Sequence, residues 1–459
     1  MVLESYKRKV IVNQGKNLIL RRKHRMRIGI IGLGYVGLTF GIAAADCGIE
    51  VFGVEINQHI KDCLKNNKSH FYEPGLDNLI KRHNDKKFFV VDEFPEDLVY
   101  DAFIITVGTP LKEGEKQPDF GYIKSSLDAI KKIYDGSQLI VLRSTVSVGT
   151  TRNVVLPFLE ELSGRPRDEI LAGMCPERTI EGKAIEELTN LPQIISGNNE
   201  KALDIAQRLF RCITPFVIKA DSLEEAELIK LFCNTYRDMT FSIGNVFCMA
   251  AQRFGVDGTR AIKHANQGYF RSNIALPGFV AGPCLEKDAY ILINNMPECD
   301  SREFILAARK FNESLEDIVV EWVKKRIGDA KGSSKTIVLS GMAFKGQPET
   351  SDLRGSSSVY IARKLHELGY RLYLHDYVAH RREMENLQIG EVFDNIYDAC
   401  KNASLLLILN NNKKYSTLQA DECLSKSKKG FAILDSWGVC TELYYSSDID
   451  ISTLGNMDI

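Results

Sequence analysis

Residues 26–37, MRIGIIGLGYVG, decide the fold. Residues 26–31 form an apolar run of strand length, and GLGYVG follows at once with Gly32, Gly34 and Gly37. Small residues at 41–45 then continue as a helix. Strand, tight turn and helix in that order are the dinucleotide-binding fingerprint: the first glycine permits the turn, the second lets backbone approach a pyrophosphate, and the third lets helix pack on strand. The N–H groups at the start of that helix, with Tyr35 and Val36 in the turn, face the phosphates.

A second strand at 50–54 ends in Glu55. A carboxylate at that place bonds both ribose hydroxyls and repels a 2′-phosphate, so the expected cofactor is NAD rather than NADP. The bland alternative is an ordinary strand-end acid beside a structural glycine turn. Further strands are expected at 88–91, 102–107 and 138–142, and two of them end in polar turns, VGTP (107–110) and STVSVGT (144–150). Strand C-termini of an open parallel sheet face the ligand crevice, which puts Thr109 and Thr145 beside the cofactor; threonines at strand ends also serve as helix caps.

The chain around this unit has 459 residues, 44% of them hydrophobic, which is more than one core organises, so two or three domains are expected. With 59 Lys+Arg against 60 Asp+Glu, no global charge draws it to nucleic acid or to an anionic membrane. Eleven cysteines without a CxxC pair argue against a disulfide framework or a zinc ribbon and for a reduced, cytoplasmic protein; no metal site is expected. The longest aliphatic run after the leader, 405–409, is far short of the ~18 residues that span a bilayer. Residues 1–25, with basic clusters at 7–9 and 21–25, read as a solvated tail.

Chemistry concentrates in three later stretches. CPERTIEGKAIEEL (175–188) holds Glu177, Arg178 and Glu181; a glutamate fixed by a preceding proline either orders a water or acts as a base, or is simply a solvated helix start. Residues 222–255 are helical throughout, roughly 50 Å at 1.5 Å per residue, enough to bridge two domains and offer a subunit interface. Lys230 and Asn234 share a face of that helix among apolar neighbours, where a lysine either snorkels to solvent or is kept because a site needs a cation. Asn245 poses the same choice.

GPCLEKDAY (282–290) then crowds Cys284, Lys287 and Asp288 into five positions. The Gly- and Pro-rich loop before it suggests a backbone that comes close to substrate. A thiol at a helix N-terminus beside a lysine should have a lowered pKa and act as a nucleophile. After a polar break at 328–334, strand, turn and helix return at 336–365, with strands at 371–375, 404–409 and 431–435. This half lacks GxGxxG, so no second dinucleotide is expected, but Lys345 and Arg354 are suited to clamp phosphates. The expected fold is α/β: two Rossmann-like doubly wound domains joined by a long central helix. Its divisions are a tail at 1–25, an NAD-binding domain at 26–220, a central helical and dimerisation domain at 221–328, and a second α/β domain at 329–459.

With these residues assembled, the chain resembles the UDP-glucose/GDP-mannose dehydrogenase family from residue 26 to about 437. The motifs in register are GLGYVG, VGTP, STVSVGT, PERTIEG, AELIKLFCNT, GPCLEKD and GMAFKGQPETSDLRGSSS. The resemblance implies a four-electron oxidation of the C6 hydroxyl of a nucleotide sugar to a carboxylate with two NAD⁺, supplying polysaccharide precursors. Cys284 would trap the aldehyde as a thiohemiacetal that becomes a thioester. Lys230, Asn234 and Asp288 fall on positions that assist proton transfer, steady the oxyanion and activate water; Glu177 lies near that water, and Thr145 joins them.

The implied cofactor contacts are Gly32, Gly34, Tyr35, Val36, Gly37, Glu55, Thr109, Thr145 and Lys287. The implied substrate contacts are Glu177, Arg178, Lys230, Asn234, Arg271, Gly282, Lys345 and Arg354, in a homodimer that binds neither nucleic acid nor membrane. Three departures stand out: Ala281-Gly282-Pro283 replaces a glycine pair, Glu286 replaces a proline, and Ser147 replaces another. Glu286 should raise the thiol pKa unless its side chain points away. Arg178 in PERT, and NIALPG after Arg271, look like members that oxidise UDP-N-acetyl-mannosamine or -glucosamine. UDP-glucose is the alternative substrate, and an inactive sugar-nucleotide binder is a further alternative.

Overall fold

The opening fingerprint folds into the centre of a parallel sheet. The computed structural model describes residues 26–110, 112, 118–328, 335–446 and 448–457, so the basic tail and nearly all of the polar break lie outside the described residues. Strands β1 (Arg27–Ile31), β2 (Glu50–Val54), β3 (Phe88–Val91), β4 (Ala102–Ile105), β5 (Leu139–Leu142) and β6 (Ala172–Met174) pair in the order β3-β2-β1-β4-β5-β6. A small parallel pair, β7 (Gln193–Ile195) and β8 (Val217–Lys219), follows. A second sheet holds β9 (Thr336–Ser340), β10 (Arg371–His375), β11 (Glu391–Val392), β12 (Leu405–Ile408), β13 (Ala432–Asp435) and β14 (Asp450–Ser452), ordered β11-β10-β9-β12-β13-β14.

Strand for strand, the second order repeats the first, so the chain contains two doubly wound Rossmann-like domains. In each, the order reverses between the first and fourth strands, and ligands bind outside the strand C-termini at such a switch point. β4, β5, β9 and β12 are buried along their whole length, which is why they read as unbroken apolar runs. Full burial of Phe88 or Phe103 is worth roughly 1.5–3 kcal/mol each. The helix after β1, Tyr35–Asp46, is buried from Gly37 to Ala45 because it lies flat on the sheet. A Cβ on Gly41 would stand 2.9 Å from Ile30 and Phe88, so larger residues there would push the helix off.

The long helix runs Leu223–Arg253. Ser222 caps it by accepting from Glu225 N at 3.0 Å, while the Glu225 carboxylate reaches back past the cap and accepts from Asp221 N. Gly255, at φ 70°, lies just past its end. Against it pack the helices Leu285–Asn294 and Asp300–Ile327. The second of these is tied in by a buried ion pair, Arg309 Nη1 to Asp238 Oδ1 at 2.6 Å. The 28-residue helix Asp300–Ile327, and the short strands β6, β7, β8, β11 and β14, have no counterpart in the strands and helices read from the sequence. Strands of two or three residues carry too little pattern to separate from loop. Among the described residues no helix is long and apolar enough to cross a membrane.

Candidate active site

Three glycines shape the crevice at β1, each for its own reason. Gly32 sits at φ 90°, a left-handed turn that a side chain would strain. A Cβ on Gly37 would stand 1.9 Å from Gly32 O, so only glycine lets the helix approach the turn. Gly34 leaves open space where a Cβ would be, which admits a phosphate against the backbone. Glu55 ends β2 with its carboxylate accepting from Leu33 N and from Asn57 N, both at 2.8 Å. It is thereby held against the glycine turn with lone pairs left for ribose hydroxyls. These features fit NAD.

The other cofactor-side residues are laced to each other. Thr109 Oγ1 donates to Thr145 O, and Ser144 Oγ donates to Val107 O at 2.6 Å, so the turns after β4 and β5 form one unit. Tyr35 turns its hydroxyl away, donating at 2.7 Å to Glu73 and lying 3.3 Å from Ile180 O; burial, then Glu73, pushes its pKa far up. Val36 is half-buried in the first turn of the helix. Lys287 sends its Nζ to Asp288 Oδ1 at 3.0 Å.

Cys284 caps the helix Leu285–Asn294 and opens on a cavity of about 90 Å³ between the domains. Lys230, Asn234 and Arg237 come to this cavity from the long helix, Arg178 and Glu181 from the PERTIEG loop, and Phe344 and Lys345 from the loop after β9. Gly282 completes the wall. Lys230 is 7% exposed, so it does not snorkel to solvent. Asn234 Nδ2 donates at 2.6 Å to Asp288 Oδ2, so the buried Asp288 carboxylate stands between an amide and the Lys287 ammonium. Four cations and one carboxylate among the lining residues suit an anionic ligand such as a diphosphate. Two clefts of about 830 and 800 Å³ lie elsewhere and include neither Cys284 nor the glycine turn.

The expectation of a lowered thiol pKa is corrected. Cys284 is accessible at the cavity wall, yet protein surrounds it at longer range, and that burial pushes its pKa above the ordinary thiol value. Lys230 and Lys287 pull it down, while Asp288 and Glu181 push it up. Glu286 is not among the main charges acting on the thiol: its carboxylate turns towards Gly355, whose Cβ would meet Oε2 at 2.4 Å. The loop glycines also differ from expectation. Gly278 lies under the Trp437 ring, 2.4 Å from a built Cβ, and Gly282, at φ 95°, lies against Phe344. The loop is glycine-rich mainly because aromatic rings of the C-terminal domain rest on it. Asn245 is structural: it donates to Gly278 O at 3.0 Å and accepts from Gly278 N at 2.9 Å, pinning the thiol loop to the long helix.

Glu177 is neither a solvated helix start nor an unengaged base. It is buried, paired with Arg143, and accepts from Arg178 N at 2.7 Å and Thr179 N at 2.8 Å. Burial pushes its carboxyl up, but Arg143 and the Thr179 N–H outweigh this and hold it below the ordinary range. Arg178 lines the cavity while donating to Pro192 O. Arg354 lies outside the cavity lining, its guanidinium on Asp352 at 2.6 Å, and Arg271 is exposed, 2.9 Å from Tyr269 Oη.

Three residues of the site escaped the sequence reading, and a fourth was named without a role. Arg143 follows the apolar strand β5, and a charge in that place was a usable signal. Arg237 stands seven positions after Lys230, on the same face by helical spacing. Glu181 was named in its segment but had no signal for a role; burial and Asp352 push its carboxyl up to about 7 against Lys345 and Arg354, while burial pushes the Lys345 ammonium down to about 8. Glu73, also without a signal, accepts from Tyr35 Oη and from Gly182 N, joining the glycine turn to the PERTIEG loop.

Comparison with known proteins agrees with this arrangement. The sequence models of the UDP-glucose/GDP-mannose dehydrogenase family match its NAD binding domain at residues 26–214, its central domain at 224–314 and its UDP binding domain at 338–442. A UDP-N-acetyl-D-mannosamine dehydrogenase of Campylobacter jejuni is 34% identical over 348 residues, 74% of this chain and 83% of that protein. The solved UDP-D-ManNAc dehydrogenase of Pyrococcus horikoshii superposes with a TM-score of 0.83 at 27% identity, over 95% of this chain and all of the other. The UDP-N-acetyl-mannosamine dehydrogenase of Staphylococcus aureus gives 0.79 at 28% identity, over 94% and 98%. The chain belongs to the UDP-glucose/GDP-mannose dehydrogenase family and is an NAD-dependent nucleotide-sugar dehydrogenase.

Proposed function

We propose that this enzyme oxidises the C6 hydroxyl of a UDP-N-acetylhexosamine, UDP-N-acetylmannosamine first, to the uronate through a covalent intermediate on Cys284. The observation that carries this reading is the cavity that puts an accessible thiol among Lys230, Asn234 and Arg178. Bound NAD⁺ supplies the hydride acceptor. Lys230 and Asn234 hold the C6 oxygen while its proton passes to water and a hydride departs from C6 to NAD⁺. The Cys284 thiolate then adds to the aldehyde carbon. Loss of a second hydride to a second NAD⁺ leaves a thioester, and water entering the cavity hydrolyses it to the carboxylate and returns the thiol, while Asp288 holds Asn234 in place. Arg178 offers hydrogen bonds to an acetamido group, and Lys345 with Arg237 faces the diphosphate.

A panel of UDP-GlcNAc, UDP-ManNAc, UDP-GalNAc, UDP-glucose and GDP-mannose with NAD⁺ tests the reading. The expected outcome is two NADH per N-acetylhexosamine and slower turnover of UDP-glucose. One NADH per sugar rules out the carboxylate product.

Because burial holds the Cys284 thiol above its ordinary value, kcat/KM is expected to rise with pH as the thiolate forms. The Glu181 carboxylate, itself pushed up to about 7, opposes that ionisation because its charge pushes the thiol up. A pH–rate profile from neutral into alkaline pH should show the acid limb in the wild type and its displacement in Glu181→Gln. An unmoved limb assigns it elsewhere.

The homodimer forms, in this reading, along the long helix. Phe232, Tyr236, Ile243 and Phe247 make a stripe on one of its faces, and Tyr236 is 72% exposed. A second copy would cover this face. Tyr236→Glu with Phe247→Glu is expected to sediment as a monomer at a concentration where the wild type is a dimer. A variant that stays dimeric moves the interface elsewhere. The described cysteines are free thiols, as suits a reducing cytoplasm.

A further inference from the structure

The STVSVGT loop after β5, tied at Ser144 and Thr145 to the turn after β4, is anchored at its far end by the long helix. Glu227, 1% exposed, sends its carboxylate into the start of the helical run at Thr151. One oxygen accepts from Gly149 N at 2.5 Å, and the other from Thr151 N at 2.8 Å and Thr151 Oγ1 at 2.7 Å. A helix start is ordinarily capped by a residue just before it. Here the carboxylate comes from 76 residues away, and the nearby Thr150 hydroxyl is committed to Ser147 O.

What the anchored loop carries makes this more than a cap. Its Thr145 carbonyl receives the Thr109 hydroxyl, so Glu227 holds both cofactor-side turns. On the long helix, Glu227 precedes Lys230 by three positions and Asn234 by seven, so all three share one face, about 5 and 10 Å apart along the axis. One carboxylate thus spans the two halves of the reaction centre: the turns that face the cofactor and the helix face that lines the thiol cavity.

We propose that Glu227 is a positioning residue that fixes the cofactor-side turns against the Lys230–Asn234–Cys284 cavity and so sets the distance over which hydride leaves the sugar. This rests on the nucleotide-sugar oxidation proposed above. A displacement near 1 Å costs on the order of 10²-fold in rate, and a side chain one methylene shorter would draw the loop by about that much.

The test compares Glu227→Gln and Glu227→Asp with the wild type. Glutamine keeps the length but turns an amide N–H₂ towards a backbone donor; aspartate keeps both acceptors at shorter reach. In Glu227→Gln, kcat is expected to fall about 10- to 100-fold. The primary isotope effect with a C6-dideuterated sugar should rise, because hydride transfer becomes more rate-limiting, and KM for the sugar should stay near the wild-type value. NADH affinity, read by fluorescence without sugar, should weaken about tenfold as the turns loosen. Glu227→Asp should lie between the two. A melting curve confirms that each protein is folded at the assay temperature. A wild-type isotope effect and wild-type NADH affinity in Glu227→Gln overturn the proposal, whatever the change in melting temperature, because a cap alone predicts only that change. If the wild type forms no NADH with any UDP-sugar, the functional reading fails by itself, and the NADH affinity still decides the role of Glu227.

Discussion

Cys284→Ser is expected to lower uronate formation by about three orders of magnitude or more, because a hydroxyl in the same place is far less nucleophilic than a thiolate and nothing else in the cavity replaces it. The other described cysteines do not line that cavity. The folded structure should be unchanged, since Cys284 is an accessible cap position rather than core. The measurement is NADH release together with intact-protein mass after mixing with sugar nucleotide and NAD⁺. The wild type should carry a sugar adduct on Cys284 and the variant none. Uronate produced by Cys284→Ser at the wild-type rate would remove the covalent route entirely.

The largest effect on stability is expected from Arg143→Met. Arg143 is 1% exposed, stacked 4.7 Å from the Phe40 ring centre and 5.2 Å from that of Phe210, and it pairs with Glu177 while donating to Cys175 O. Methionine fills much of the space but strands a buried carboxylate, at a cost of about 3–5 kcal/mol. For a domain of this size that is a fall in Tm of roughly 10 °C. The double variant with Glu177→Gln should recover much of the loss, because the stranded charge is then gone. An Arg143→Met protein that melts with the wild type would show that the pair holds nothing. Activity should fall as well, since Glu177 orders the loop that presents Arg178 and Glu181.

These two residues mark how unevenly the site was legible. Cys284 stood out because its chemistry is written locally, in GPCLEKDAY, and Lys230 with Asn234 because helical spacing alone puts them on one face. Arg143 and Glu177 are 34 positions apart and meet only because the turn after β5 and the loop after β6 lie side by side. Glu227 and Gly149 are 78 apart, on different elements. Arg178, whose side chain reaches the cavity, could be named from PERT but not placed there.

The sequence by itself determined the doubly wound first domain, NAD as its cofactor and the long helix, and it singled out the thiol proposed as nucleophile. Each rests on a pattern within a few turns or strands of one segment, where glycine sterics and hydrophobic period decide the outcome. Tertiary structure alone decided the protonation bias of Cys284, the turning away of Glu286, the use of Gly278 and Gly282 as seats for Trp437 and Phe344, and the locking of Glu177. Desolvation, charge pairing and steric fit depend on which distant residues are brought within a few ångströms, and only the packing of the two domains around the long helix settles that.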